Sequence, residues 1–219
     1  MRVFISWSGG KDSCLALFKA LKAGFDIACL LCMLDENGLR SRSHGLTREI
    51  LDAQANALGI PIIYGKASWN NYEEKFKEIL VKLRSMGVEG GVFGDLRIQG
   101  HKNWVERVCS EVGVKAFEPL WGENCKRLID DFLSEGFKAI IVNVDAGLID
   151  EDWVGRLFDY NFIDYLERKG LDLCGENGEY HTLVTYGPIF KKTLEILEAK
   201  RTRSGRRCLL EITKISLTP

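Results

Sequence analysis

The residues best suited to chemistry stand near the start of the chain, in Ser8-Gly9-Gly10-Lys11-Asp12-Ser13. An apolar run, Val3 to Trp7, leads into them and reads as a buried strand. Beyond them, from Asp12 to Ala23, Leu15, Leu17, Phe18 and Leu21 follow helical spacing, and Gly24 is a C-terminal stop. Strand, Gly-Gly turn and helix form a geometry that binds phosphate. Paired glycines let the backbone turn sharply and approach an anion closely. The N–H groups of the first helical turn, and the positive end of the dipole, then face that anion. Ser8 and Ser13 add hydroxyl donors.

The turn is neither of the two common phosphate loops. The Walker pattern needs G-x-x-x-x-G-K-[ST] and the dinucleotide pattern G-x-G-x-x-G, whereas only Gly9 and Gly10 are present here. Ser8 to Ser13 instead resembles the PP-loop, S-G-G-x-D-S, of ATP pyrophosphatases. Members of that superfamily cleave ATP between the α- and β-phosphates and adenylate a substrate oxygen. The plainer alternative is a strand-to-helix turn capped by Asp12 and Ser13. A full match to the pattern, placed between a strand and a helix, argues against it.

The elements that must hold this turn alternate along the chain. Ile27 to Leu34 is a continuous apolar run, suited to a parallel strand covered on both faces. A helix is expected over Leu46 to Leu58 and a strand over Ile60 to Tyr64. Tyr72, Phe76, Ile79, Leu80 and Leu83 mark the next helix, with Asn70 and Glu73 as a capping box. Gly90 to Gly94 forms a fourth strand running into Asp95, and Trp104 to Val112 a further helix. This rhythm predicts an α/β fold, a parallel sheet flanked by helices. Ligands of such sheets sit at the carboxyl ends of the strands. The loop ends gathered there are Ser8 to Ser13, Met33 with the Arg42 to Gly45 segment, and Gly94-Asp95.

Beyond Gly122 the rhythm changes, and the boundary is set there: residues 1–122 form a PP-loop ATP-binding domain, and 123–219 a smaller C-terminal α+β, substrate-binding domain. A helix is expected around Cys125 to Ser134 and a strand around Phe137 to Val144. Leu148 to Arg156 and a short helix near Asn161 to Lys169 come next. Cys174 to Thr182 reads as a polar loop, and Thr193 to Leu217 as a hairpin turning near Ser204-Gly205.

Composition narrows the classes. A chain that is 46% hydrophobic and 28% charged is an ordinary globular one, so disorder is not expected. A net charge of -1 argues against a broad nucleic-acid or membrane surface. No apolar stretch reaches the length of a membrane span. Met1-Arg2-Val3 enters a strand directly, so no signal peptide is expected. Seven cysteines without regular spacing suit reduced thiols in a cytoplasmic protein.

Other candidate residues divide between chemistry and packing. Cys29 and Cys32 form a C-x-x-C inside an apolar strand, where residues three apart face opposite sides. They are read as core cysteines. His44 is placed either near the nucleotide or on a surface loop. His181, beside Glu179 and Tyr180, has the better claim to a catalytic neighbourhood. Arg201, Arg203, Arg206 and Arg207 flank the hairpin tip, where they either receive an acidic partner or keep an edge soluble.

Taken together, Ser8 to Ser13, Glu89 to Asp95, Pro119-Leu120-Trp121, Val144-Asp145, Gly175 to Thr182 and Gly187 to Phe190 resemble the diphthine–ammonia ligase family, N-type ATP pyrophosphatases. The resemblance covers nearly the whole chain. It implies an adenine nucleotide alpha hydrolase-like, Rossmann-like fold. It also implies a reaction in which the carboxylate of diphthine, a modified histidine on translation elongation factor 2, is adenylated and then amidated by ammonia. ATP and Mg²⁺ are the implied cofactors. Ser6, Ser8, Gly9, Gly10, Lys11, Asp12, Ser13, Met33, His44, Gly94 and Asp95 are the candidate nucleotide-binding residues, with Asp12 as the Mg²⁺ ligand. Lys11 occupies the variable position of the pattern. Glu176, Glu179, Tyr180 and His181 are the candidate catalytic residues, and the trimethylammonium group of diphthine is assigned to Tyr180 and a carboxylate beside it. Their loop is expected to fold back near the PP-loop. Free ammonium is the expected nitrogen donor, since no glutaminase domain is expected, nor the extra C-terminal domains of longer family members. A homo-oligomer is left open. The competing readings are a tRNA-modifying, thiolase-like PP-loop enzyme and a non-catalytic ATP-binding module.

Overall fold

A computed structural model describes every residue of the chain except Ser43. The chain divides into two compact units. One comprises Met1–Ser8 and Asp12–Gly122, the other Gly9–Lys11 and Glu123–Pro219.

The first unit is built on five parallel strands in the order β3-β2-β1-β4-β5. These are β1 (Arg2–Ser6), β2 (Asp26–Leu34), β3 (Ile62–Lys66), β4 (Gly90–Val92) and β5 (Lys115–Phe117). The connecting helices are α1 (Lys11–Lys22), α2 (Arg48–Leu58), α3 (Tyr72–Ser85) and α4 (Gln99–Glu111). Central strands lose water on both faces, which is why β1 and β2 are nearly continuous apolar runs. Phe4, Ile5, Leu30, Leu31 and Cys29 are all buried there. Phe4 meets Phe93 and Phe76 edge-on, tying the sheet to α3. The chain reverses its direction of winding between β1 and β4, and a crevice opens at such a switch point.

One element went unread in this unit and one expectation fails. β5 carries no sequence signal of its own, because three half-exposed or exposed residues give no period to read. The capping box is absent: Asn71, not Asn70, precedes α3, and it makes no side-chain cap. Glu73 faces Lys77, Arg107 and the Trp104 indole instead.

The second unit has an antiparallel sheet in the order β7-β6-β9-β8. Its elements are α5 (Cys125–Ser134), β6 (Lys138–Asp145), α6 (Tyr160–Lys169), β7 (Tyr180–Tyr186), β8 (Thr193–Ser204) and β9 (Arg207–Thr218). Side-chain caps start both helices, Asn124 on the Arg127 N–H and Asp159 on the Phe162 N–H. The hairpin turns at Gly205-Arg206, near the expected Ser204-Gly205, with Ser204 paired to Arg207. Of the Leu148 to Arg156 stretch, only a 3-10 turn over Glu151–Trp153 forms. Tyr180 to Thr182 belong to a strand, not a loop. Pairing with β6 supplies partners that the polar sequence conceals, His181 lying opposite Asn143.

The cysteines also depart from expectation. Cys125 and Cys174 form a disulfide, with their Cα atoms 5.9 Å apart. Cys14, Cys29, Cys32, Cys109 and Cys208 are free and buried. The arginines of the hairpin tip need no outside partner. Arg201 pairs with Asp152, Arg203 with Glu151 and Arg206 with Asp145, while Arg207 donates to the Gly178 carbonyl. No described helix is long and apolar enough to cross a membrane.

Candidate functional site

A cavity of about 240 Å³ opens in the first unit at the carboxyl ends of β1 and β2. Ser6, Ser8, Asp12, Ser13, Met33, Gly94 and Asp95, all expected at a nucleotide, line it. Gly9 holds a positive φ of 83°, which turns the chain from β1 into α1. The Ser8 and Ser13 hydroxyls lie 3.1 Å apart across that turn. Gly94 is required by close approach. A Cβ there would stand 2.9 Å from the Asp12 carbonyl carbon and 3.0 Å from the Ser13 nitrogen. The strand behind the turn is pinned by Trp7, whose indole donates to buried Gln54 at 3.2 Å.

Of the far wall, the sequence reading placed only the Arg42 segment. Trp69 and Tyr72 line the cavity with Arg42. The Arg42 guanidinium lies 3.9 Å from the centre of the Trp69 ring and donates to the Ala67 carbonyl. Trp69 stacks on Tyr72, and Tyr72 packs against Phe76 and Trp104. Burial pushes the Tyr72 phenol up to about 12, so it stays protonated. Flat rings suit a purine, and a fixed guanidinium suits phosphate. His44 is half-buried and does not line this cavity. In its segment, Ser43 lies outside the described residues.

Gly9 to Lys11 belong to the second unit, and their contacts there are specific. The Gly9 carbonyl accepts from the Val184 N–H at 3.0 Å. The Lys11 N–H donates to the Thr182 hydroxyl at 3.0 Å. Lys11 itself is only 7% exposed. Its ammonium donates to the Cys174 carbonyl at 2.6 Å and lies 5.1 Å from the centre of the Tyr180 ring.

The expected catalytic residues take unequal places. Tyr180 is 2% exposed, its hydroxyl donating to the Leu173 carbonyl and its ring packed on Phe158 and Phe162. A ring so enclosed, with Lys11 over it, does not present an open face to a substrate cation. Glu179 is buried too, and accepts from the Asn177 N–H and side-chain amide. Glu176 is half-buried, its N–H held by Asp172. His181 is half-buried. Burial, then the charges of Arg207 and Lys11, lower its pKa to about 4, so the imidazole is neutral at pH 7.

Burial likewise holds Cys29 up at about 11 and Cys32 at about 12, so neither is a thiolate at neutral pH. Among the described residues, no group of three or more His, Cys, Asp or Glu is arranged to hold a metal. Mg²⁺, however, is commonly held by one or two carboxylates together with substrate phosphates. Asp12 and Asp95 line the same cavity and meet that requirement.

Comparison with known proteins places this geometry. The diphthamide synthase N-terminal domain family matches residues 1–116, and the diphthamide synthase C-terminal domain family matches residues 124–218. The chain belongs to the diphthamide synthase family. A human protein named diphthine–ammonia ligase is 26% identical over 219 residues, spanning 89% of this chain and 82% of its own. One of the same name from Danio rerio is 26% identical over 232 residues, covering 92% and 88%. A third, from Schizosaccharomyces pombe, is 27% identical over 236 residues and covers 97% of this chain but 39% of its own. A solved protein described as a predicted subunit of tRNA methyltransferase from Methanocaldococcus jannaschii aligns over 86% of this chain and 98% of its own. Its TM-score is 0.47 and its identity 18%, too distant a likeness to carry an argument.

The site residues that sequence reasoning missed share one property. Trp69, Tyr72 and Trp104 act through side-chain contacts between separate elements. The available signal was the helical spacing of Tyr72 and Phe76, which reads equally well as core.

Proposed function

We propose that this protein is a diphthine–ammonia ligase that uses ATP to amidate diphthine on translation elongation factor 2. The observation that carries the reading is the Ser8 to Ser13 turn, whose hydroxyls and Asp12 line a cavity at the carboxyl ends of a parallel sheet. A carboxylate is a poor electrophile. Its oxygen attacks the α-phosphorus of ATP, the bond to pyrophosphate breaks, and pyrophosphate leaves with the electron pair. Ammonia, formed when ammonium gives up a proton, attacks the acyl carbon. The C–O bond to AMP then breaks, and the attacking nitrogen loses a proton to complete the amide. No covalent enzyme nucleophile is needed.

In this proposal Ser8, Ser13 and the Gly9-Gly10 turn orient the phosphates, Arg42 offsets their charge, and Trp69 with Tyr72 stacks the base. Asp12 and Asp95 hold Mg²⁺, which when bound withdraws charge from the phosphates. The cytoplasm, where elongation factors work, is the proposed location. The sulfur-transfer alternative requires reactive thiolates, and the buried thiols of Cys29 and Cys32 are poor candidates.

The test uses ATP labelled in its α- and γ-phosphates. Pyrophosphate should appear only when diphthine-bearing factor is present, and free AMP with multiple turnover only when ammonium is added as well. Release of ADP, or equal turnover without the factor, would contradict the reading.

A further inference from the structure

Cys125 and Cys174 are bonded, and their surroundings differ from those of the other five cysteines. Cys14, Cys29, Cys32, Cys109 and Cys208 are buried, and burial raises the pKa of each thiol, which keeps them inert. Within the bonded pair, Cys174 is 3% exposed, whereas Cys125 is only half-buried. Cys125 also opens α5, directly after the Asn124 cap. It is therefore the sulfur that a reagent can reach. The N–H groups and positive dipole end of a helix start favour a thiolate there.

The buried end of the bond supports the phosphate turn. The Cys174 carbonyl accepts from the Lys11 ammonium, and Lys11 stands between Gly10 and Asp12 in that turn. The loop around Cys174 has local braces. Asp172 accepts from the Cys174 and Glu176 N–H groups, and the Tyr180 hydroxyl donates to the Leu173 carbonyl. These braces all fall within residues 172–180. The disulfide is the covalent link from this loop to α5, 49 residues away in sequence. One bond thus fixes the carbonyl on which the Lys11 ammonium rests.

We propose that the Cys125–Cys174 disulfide is a redox switch on ATP binding, closed by oxidation and opened by a dithiol reductant, with Lys11 as the residue that carries its state to the phosphate turn. The proposal rests on the ATP reading above. In reducing compartments, disulfides are characteristically transient, serving catalysis or redox sensing. A thiolate of the reductant attacks the Cys125 sulfur. The S–S bond breaks, and its electron pair leaves on the Cys174 sulfur, which takes up the first proton. The reductant's second thiol attacks the mixed disulfide, closes its own disulfide and gives its proton to solvent. Cys125 leaves as a thiolate at the start of α5. Two electrons pass from the dithiol to the protein. The Cys174 loop is then free to move, and the charge-assisted hydrogen bond that fixes Lys11 weakens. By linkage, bound ATP favours the disulfide by the same factor that the disulfide favours ATP.

The test is calorimetry of ATP with Mg²⁺ on the full chain, oxidised and after reduction by dithiothreitol, with circular dichroism on the same samples. Reduction should weaken ATP binding about tenfold, as for the loss of one charge-assisted hydrogen bond, and reoxidation should restore it. Cys125→Ser should bind like the reduced chain and ignore dithiothreitol. Equal affinities in folded oxidised and reduced protein would overturn the switch and leave the ligase reading intact. A Cys125→Ser variant that still responds to dithiothreitol would also overturn it. So would loss of the circular dichroism spectrum on reduction, since the bond would then hold the fold together rather than tune the turn. Absence of ATP binding in both states would overturn the ATP reading, and the switch with it.

Discussion

The Lys11 ammonium donates to the Cys174 carbonyl at 2.6 Å. Lys11 stands at the variable position of the phosphate turn, yet its side chain is committed to a loop of the second unit, beneath the Tyr180 ring. It therefore acts as an anchor. Lys11→Met leaves the carbonyl without its charged donor, and should lower stability by about 2 kcal/mol. Urea denaturation measures this. An unchanged midpoint together with lost ATP binding would assign Lys11 to phosphate instead.

The same loop is tied down covalently through Cys125 and Cys174, 49 residues apart. Closing a loop of that length restricts the unfolded chain by about 4 kcal/mol in the chain-entropy account. Reductant, or Cys125→Ser, should lower the melting temperature, and Lys11→Met should then cost less, because its anchor is already loosened. A melting temperature indifferent to reductant would show that the bond is absent in solution.

His181 gives the protein a pH-dependent stability. Its folded pKa of about 4 lies below the ordinary histidine value, because burial and the neighbouring Arg207 and Lys11 disfavour the cation. Above pH 6.5 both folded and unfolded forms are neutral and nothing is lost. Between about pH 6.5 and 4 the unfolded chain binds the extra proton, and stability should fall by about 3 kcal/mol. His181→Gln should flatten this segment of the stability profile. An unchanged profile in the variant would reject the assignment.

Gly94→Ala tests the close approach of β4's exit to the phosphate turn. Its added methyl meets the Asp12 backbone at 2.9 Å, and backbone cannot rotate away as a side chain can. The start of α1 must shift, at a cost of about 1–3 kcal/mol. ATP affinity should fall at least tenfold while the circular dichroism spectrum is kept. Calorimetry showing native affinity would contradict the geometry.

Local signals carried far in this chain. The turn, its flanking strand and helix, and the alternation behind the parallel sheet could all be read, since each depends on neighbours in sequence. What could not be read depends on partners brought together by folding. β5 is too short to show a period, and β7 hides behind polar Tyr180 to Thr182 until β6 pairs with it. Cys125 and Cys174 have no spacing that announces a bond. Arg42 gains meaning only where it stacks on Trp69, and Tyr180 loses its expected role because Lys11 and the aromatic core enclose it.

The most direct test of the ligase account is mass spectrometry of elongation factor 2 bearing diphthine, after incubation with the protein, ATP, Mg²⁺ and ammonium. The account predicts conversion of the modified histidine from acid to amide, dependent on ATP and abolished by Gly10→Val in folded protein. Persistence of the acid form, while the protein consumes ATP in the same tube, would contradict it.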